Sequence, residues 1–333
     1  MNRFAARIRQ AMLRVGVFSD LAWRGLPNHL YVFNYHRIGN SNECEFDPNV
    51  FSCDAEHFEA HIQLIKQRFR VLDLEELASI VAAPGVIREP LALLTFDDGY
   101  IDGYTDVLPI LQQHDVSGVF FVTTQFVGSR LVPWWDRVAW WVRRASRQSI
   151  VVDSLGLKLT LGDKLDPESD IRVILAALKR DPSALEKNLG VIRDALCPVE
   201  DVPEDAQLFM DWKHLQALVD AGMSVGSHTL SHRMLATLND EDLKTELEES
   251  RSTLSEQLAC PITALAYPVG TRTSFDERSV RAAKDAGYEM AFSFIERANE
   301  LPLRNPHCIS RIGIGGNPSA RDFPTEVLLK LSQ

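Results

Sequence analysis

The sequence predicts an α/β protein whose parallel strands close into a (β/α) barrel carrying a helical insertion. Short apolar runs recur along most of the chain, several continuous instead of alternating, as strands buried on both faces require. Stretches of helical period lie between them. About seven such runs, with no Gly-x-Gly-x-x-Gly after the first, favour a barrel over an open doubly wound sheet.

The first twenty residues stand apart. Arg3, Arg7, Arg9 and Arg14 face a single Asp20, and Phe4, Ile8, Met12 and Val15 recur at helical spacing. Such a segment, within 1–30, suits a helix docked on its own domain and equally a peripheral helix at a membrane surface. The strands follow at Tyr31 to Ile38, Leu91 to Phe96, Gly118 to Thr124, Met223 to Thr229, Leu265 to Pro268, Met290 to Ile295 and Ile309 to Ile314. Among the helices, 55–69 repeats Phe58, Ile62, Ile65 and Phe69. The helix over 240–258 repeats Leu243, Leu247, Ser250, Leu254 and Leu258 behind an Asn239 cap, and 274–286 stops at Gly287. The interval 129–206 breaks this rhythm with Trp134, Trp135, Trp140 and Trp141 and two acidic, Pro-punctuated stretches. The predicted barrel therefore spans 31–128 and 207–320, with 129–206 as a mostly helical insertion.

At 333 residues and 45% hydrophobic content the chain can bury a large core. Its net charge of −11 argues against a nucleic-acid partner, which needs a basic surface to neutralise phosphates. Five cysteines without a Cys-x-x-Cys suggest a reducing compartment and neither a disulfide framework nor a thiolate metal site. With no apolar run of membrane-spanning length and no uninterrupted apolar leader, the expected location is cytoplasmic, with peripheral contact at the inner membrane face through residues 1–20.

Three strand ends carry the chemistry. Leu91 to Phe96 stops in Asp97-Asp98-Gly99, where adjacent carboxylates call for a cation or a shared proton unless they form a simple surface turn. Ser227-His228-Thr229-Leu230-Ser231-His232 follows another run. On a helical turn its histidines, four apart, present both imidazoles to one side, as a zinc or similar divalent ion accepts. Joined to a carboxylate from another strand end, they make a His-His-Asp site with open positions. Ala266-Tyr267-Pro268-Val269-Gly270 closes a third run, its constrained backbone suited to aim the Tyr267 amide at a developing oxyanion.

Together these motifs, with Thr95-Phe96 and Tyr100 around the first, resemble the polysaccharide deacetylase family, the NodB-homology domain of carbohydrate esterase family 4. Asn34-Tyr35-His36-Arg37 is similar to the start of its membrane-associated, exopolysaccharide branch, and Asp211-Trp212 to Gly222 to the approach to its histidine motif. The resemblance covers about 31 to 125 and 207 to 315 and implies a distorted (β/α) barrel. It implies that Asp98, His228 and His232 hold one divalent metal, zinc first with cobalt, nickel, manganese or iron as alternatives, and that Asp97 is the general base. Two positions depart from the family pattern. Ala266 stands where an Arg commonly orients the base, and Ile309-Ser310-Arg311 where a Leu-x-His commonly supplies the acid. Arg311 is the expected substitute for the first and His36 for the second, with His307 a weaker alternative.

The function so implied is hydrolysis of N-acetyl groups on an amino-sugar polysaccharide or lipid-linked glycan, in exopolysaccharide or cell-envelope glycan biosynthesis. An amidase acting on another C–N bond, or a glycan-binding protein with impaired catalysis, are the alternatives. The insertion's tryptophans suit sugar stacking or simple packing. His29, His57, His61, His114 and His214 read as surface residues without partners, and Glu246, Glu248 and Glu249 as a solvated helix face.

Overall fold

A computed structural model describes residues 16–332 apart from 84 and 163–166, so most of the basic N-terminal segment lies outside the described residues. Eight parallel strands form the main sheet. They are β1 Leu30–Tyr35, β2 Arg70–Val71, β3 Leu91–Phe96, β4 Val119–Val122, β5 Ser224–Ser227, β6 Ala264–Ala266, β7 Met290–Phe292 and β8 Ile312–Gly313. Their spatial order is β7-β6-β5-β4-β3-β1-β8, with β2 on the edge of β3. The longest register is β1 on β3, running from Leu30 opposite Leu91 to Tyr35 opposite Phe96. While β8 pairs with β1, a parallel bridge from Ile309 to Phe292 returns the preceding segment to β7. The strands thus form the expected distorted (β/α) barrel.

The helices, in chain order, are α1 Gly16–Arg24, α2 Ala55–Arg68, α3 Leu74–Ala82, α4 Leu108–Gln113, α5 Trp134–Arg143, α6 Glu168–Leu178, α7 Leu185–Leu196, α8 Trp212–Asp220, α9 Asp240–Leu258, α10 Glu277–Asp285 and α11 Phe323–Lys330. Side-chain oxygens cap four of them, Asp54 before α2, Asp211 before α8, Asn239 before α9 and Asp276 before α10, each satisfying first-turn N–H groups.

Period-two alternation divides the core. Leu30, Val32, Leu91, Leu93, Val119 and Phe121 pack together on the inside, whereas Tyr31, Phe33, Ala92, Leu94 and Phe120 meet helix residues such as Phe58, Ile62 and Leu215. The inward columns turn polar only at their C-terminal ends, where Asn34 and Thr95 follow Val32 and Leu93, both fully buried. This places the polar cluster at the barrel mouth.

The chain divides into two compact units, one of residues 1–39, 51–128 and 209–333, the other of 40–50 and 129–208. The second unit contains α5 to α7 and a β-hairpin, Ser149–Val152 against Leu157–Thr160, which the helical reading of this stretch misses. Its tryptophans mostly form a core. Trp135, Trp140 and Trp141 are buried, Phe46 lies 5.4 Å from Trp140, and Arg144 sits on the Trp140 ring.

Several histidines expected at the surface are partnered. His61 is fully buried, stacked at 4.1 Å on Phe323, with Nε2 2.7 Å from the Pro318 carbonyl and Nδ1 3.8 Å from Cys53 Sγ. His57 pairs with Asn317, His114 with Glu59, and His214 completes the α8 capping box. The five cysteines are free thiols.

Candidate metal centre

The site begins where β3 ends. Asp97 continues the ladder, its N–H donating to the Tyr35 carbonyl at 3.0 Å, and Asp98 then turns away with φ of +73°. Gly99 follows at φ +85°, where an added Cβ would press on Val122 at 3.0 Å, so glycine is required there on both counts. The reversal sends two neighbouring carboxylates to different partners. Both are buried.

Asp98 faces the histidine motif. Its Oδ1 lies 3.4 Å from His228 Nε2 and 3.3 Å from His232 Nε2, and the three ligand atoms fall within 4.8 Å of one another. His228 Nδ1 donates to the Ala266 carbonyl at 2.9 Å. Because a carbonyl only accepts, Nδ1 carries the proton and Nε2 keeps its lone pair for the centre. Burial pushes the His228 imidazole down to about 4, so it is neutral at physiological pH. For Asp98 burial acts upward, but the imidazoles of His232, His36 and His228 outweigh it and hold the carboxyl well below its usual range. Asp98 Oδ1 is nevertheless a buried oxygen that accepts no hydrogen bond. An ionised carboxylate oxygen without a hydrogen bond, between two neutral imidazole nitrogens, fits a divalent cation.

The histidine segment is not a helical turn. His228 extends β5, donating its N–H to the Val122 carbonyl, and the chain then runs as an irregular loop with Thr229 at φ +67° and His232 at φ +62°. Side chains rarely take this conformation, and it brings the second imidazole back to the first. The ring centroids are 4.9 Å apart.

Asp97 is held from the other side. Arg311 Nη1 donates to Asp97 Oδ1 at 2.6 Å and to Asn34 Oδ1 at 2.7 Å, while Arg311 Nε reaches the Ser293 carbonyl at 3.1 Å. Asn34 Nδ2 completes the ring at Asp97 Oδ2, 3.2 Å away, and Thr95 Oγ1 donates to Asn34 Oδ1. Burial alone raises the Asp97 carboxyl, but Arg311, then His228 and His36, pull it below its ordinary value. The cation thus reaches the base from β8's approach, whereas Ala266 only lends its carbonyl to His228. Asn34 was missed as a site residue, and its signal is a lone amide in the inward column of an apolar strand.

The remaining candidates separate clearly. His36 stands over the cluster, Nε2 4.0 Å from Asp97 Oδ2 and its side chain 29% exposed, beside the Phe294 ring. His307 is committed elsewhere, with Nε2 2.9 Å from the Tyr288 carbonyl and its own carbonyl accepting from Tyr267 Oη. Tyr267 does not offer the expected amide, because its N–H donates to the Phe292 carbonyl at 3.0 Å and its ring is sealed against Phe275. Two residues on, Val269 sits at φ +62° and its N–H donates to no acceptor. Glu246 is 3% exposed, not solvated, and bonds the histidine loop directly.

Comparison with known proteins bears on this arrangement. The YxkH protein of Bacillus subtilis, named for a polysaccharide deacetylase, is 21% identical over 265 residues. The match takes in 79% of this chain and 64% of that relative, so the chain spans about two thirds of it. Over 44 residues, 13% of this chain and 17% of the other, identity reaches 52% with the peptidoglycan-N-acetylmuramic acid deacetylase PdaA of the same organism. Among solved structures, the Streptococcus pyogenes deacetylase PplD in complex with acetate aligns with a TM-score of 0.59 at 16% identity, covering 91% of this chain and 99% of that one. IcaB from Ammonifex degensii gives 0.59 at 15% identity, with 92% and 98% covered. At such identities these structures share the fold. The polysaccharide deacetylase family model matches residues 86–291, a stretch that runs from before β3 into β7 and holds Asp97, Asp98, His228 and His232. By that match, over more than half its length, the chain belongs to the polysaccharide deacetylase family.

Proposed function

We propose that this protein hydrolyses N-acetyl groups, giving free amine and acetate, on an amino-sugar polysaccharide or lipid-linked glycan of exopolysaccharide or cell-envelope biosynthesis. The observation that carries this reading is the division of two adjacent carboxylates, Asp98 toward a neutral histidine pair and Asp97 into a buried arginine cluster. A structural turn has no use for either arrangement. PplD and IcaB, with the same fold, add weight to the glycan reading.

In this proposal Asp98, His228 and His232 hold one divalent ion, zinc first among those the donor set accepts. When bound, the ion polarises the acetamide carbonyl and lowers the pKa of the attacking water. Asp97 takes the water's proton. Arg311 and Asn34 fix both of its oxygens and keep it ionised, ready as a base. His36, the histidine beside Asp97 Oδ2 and open to solvent, gives a proton to the leaving nitrogen. The Val269 N–H takes the oxyanion role that the committed Tyr267 amide cannot fill. Arg311 on Asp97 also removes one motive for a merely binding role, the alanine at 266.

Among the described residues no helix is long and apolar enough to cross a membrane. Encounter with a lipid-linked glycan at the cytoplasmic membrane face through residues 1–20 remains part of the proposal. The test is acetate release from N-acetylglucosamine oligosaccharides by protein stripped with chelator and reloaded with zinc. Release that needs the metal and fails in Asp97→Asn supports the reading. Release that survives chelation, or its absence across N-acetylated glycans with loaded protein, would sink it.

A further inference from the structure

We propose that Glu246 is a positioning residue for the metal centre, holding the loop between His228 and His232 in the conformation that brings their imidazoles together. The inference rests on the metal reading above.

Helix α9 buries a leucine stripe, Leu243, Leu247, Leu254 and Leu258, broken by two polar residues one turn apart, Glu246 and Ser250. A buried carboxylate is unfavourable unless its oxygens are bonded. Those of Glu246 are, and every side-chain bond goes to the histidine loop. Oε2 accepts the N–H of Leu230 at 3.0 Å and of Ser231 at 2.9 Å, and Oε1 accepts the Ser231 hydroxyl. The Glu246 carbonyl also accepts the Leu230 N–H, at 3.2 Å.

One turn along, Ser250 Oγ pairs with Ser227 Oγ at 2.7 Å and Thr124 Oγ1 at 2.8 Å. Ser227 Oγ accepts the Thr229 N–H, and Thr229 Oγ1 accepts the His232 N–H. A bonded path therefore runs from α9 to both ligands without touching the centre. It matters because Thr229 and His232 hold left-handed φ angles that side chains disfavour. The Ser231 N–H has Glu246 as its acceptor, so removing the carboxylate frees the residue next to His232.

The test is titration of the metal-free protein with cobalt(II), reading the dissociation constant and the visible absorption of the bound ion, with thermal melting as a fold control. Glu246→Ala should weaken binding roughly 10- to 100-fold and alter the spectrum. Glu246→Gln, which can still accept both N–H groups, should stay within about 3-fold of wild type, as should the exposed control Glu249→Ala. Should the alanine variant fail to fold, Glu246→Asp, which withdraws the carboxylate by one methylene, should show the same loss. Wild-type affinity and spectrum in the alanine or aspartate variant would overturn the inference. So would a loss that merely follows the melting temperature through all three Glu246 variants. Failure of the wild type to take up cobalt would remove the metal reading itself, a result distinct from variants that bind as wild type does.

Discussion

Arg311 Nη1 lies 2.6 Å from Asp97 Oδ1, and both side chains are closed to solvent. The two residues are 214 positions apart, joined because β1 brings Asn34 between β3 and the approach to β8. A buried ion pair of this kind is costly to break on one side, since the remaining charge keeps its burial and loses its partner.

Arg311→Met should therefore destabilise the fold by about 3–5 kcal/mol in denaturant unfolding. Asp97→Asn added to it should recover part of the loss, giving a coupling of about 1 kcal/mol or more in the double-mutant cycle. Additive effects would mean that the pair contributes no coupling.

Asp97→Asn alone separates chemistry from metal binding. It should keep one divalent ion per chain, because Asp97 is not in the Asp98, His228, His232 set, while turnover falls by roughly 10²- to 10⁴-fold. Loss of the ion together with activity would place Asp97 among the ligands instead.

His36→Ala tests the acid. An amine leaving group needs a proton and an activated aryl acetate does not, so deacetylation of a glycan amide should fall by about 10²-fold or more with aryl acetate hydrolysis little changed. Equal losses on both substrates, or none on either, would remove His36 from that role.

Much of this was legible in the strands. Continuous apolar runs marked seven of the barrel strands, and motif spacing singled out Asp97, Asp98, His228, His232 and Arg311, because each follows directly from what ends or begins a run. The misses have one physical source, that a polar group's partner is set by distant pairing. Glu246 sits in a Glu-rich stretch and reads as solvated until α9 docks under the histidine loop. The Tyr267 amide reads as available until β7 claims it, and no local pattern shows that Thr229 and His232 leave the helical path. His61 keeps a helical period with polar neighbours, and only the packing of α11 buries it.

His61 also sets a pH dependence. Burial lowers its imidazole from 6.5 to about 4, against a smaller opposing effect of the Pro318 carbonyl. Between those values the unfolded chain binds the proton and the folded chain does not, so stability falls as pH drops from 6.5 to about 4 and this contribution levels off below. The loss amounts to about 3 kcal/mol. Denaturant unfolding from pH 7 to 4 should show a shallower decline in His61→Gln than in wild type. Parallel profiles would mean that His61 titrates alike in both states.

The central claim is that Asp98, His228 and His232 form one metal site. The most direct measurement is elemental analysis of the purified protein after chelation, reloading and dialysis, beside Asp98→Ala and His228→Ala. The account predicts about one divalent ion per wild-type chain and near none in either variant, with all three folded by circular dichroism. A wild-type chain that holds no ion after reloading, or variants that hold it as well as wild type, would contradict it.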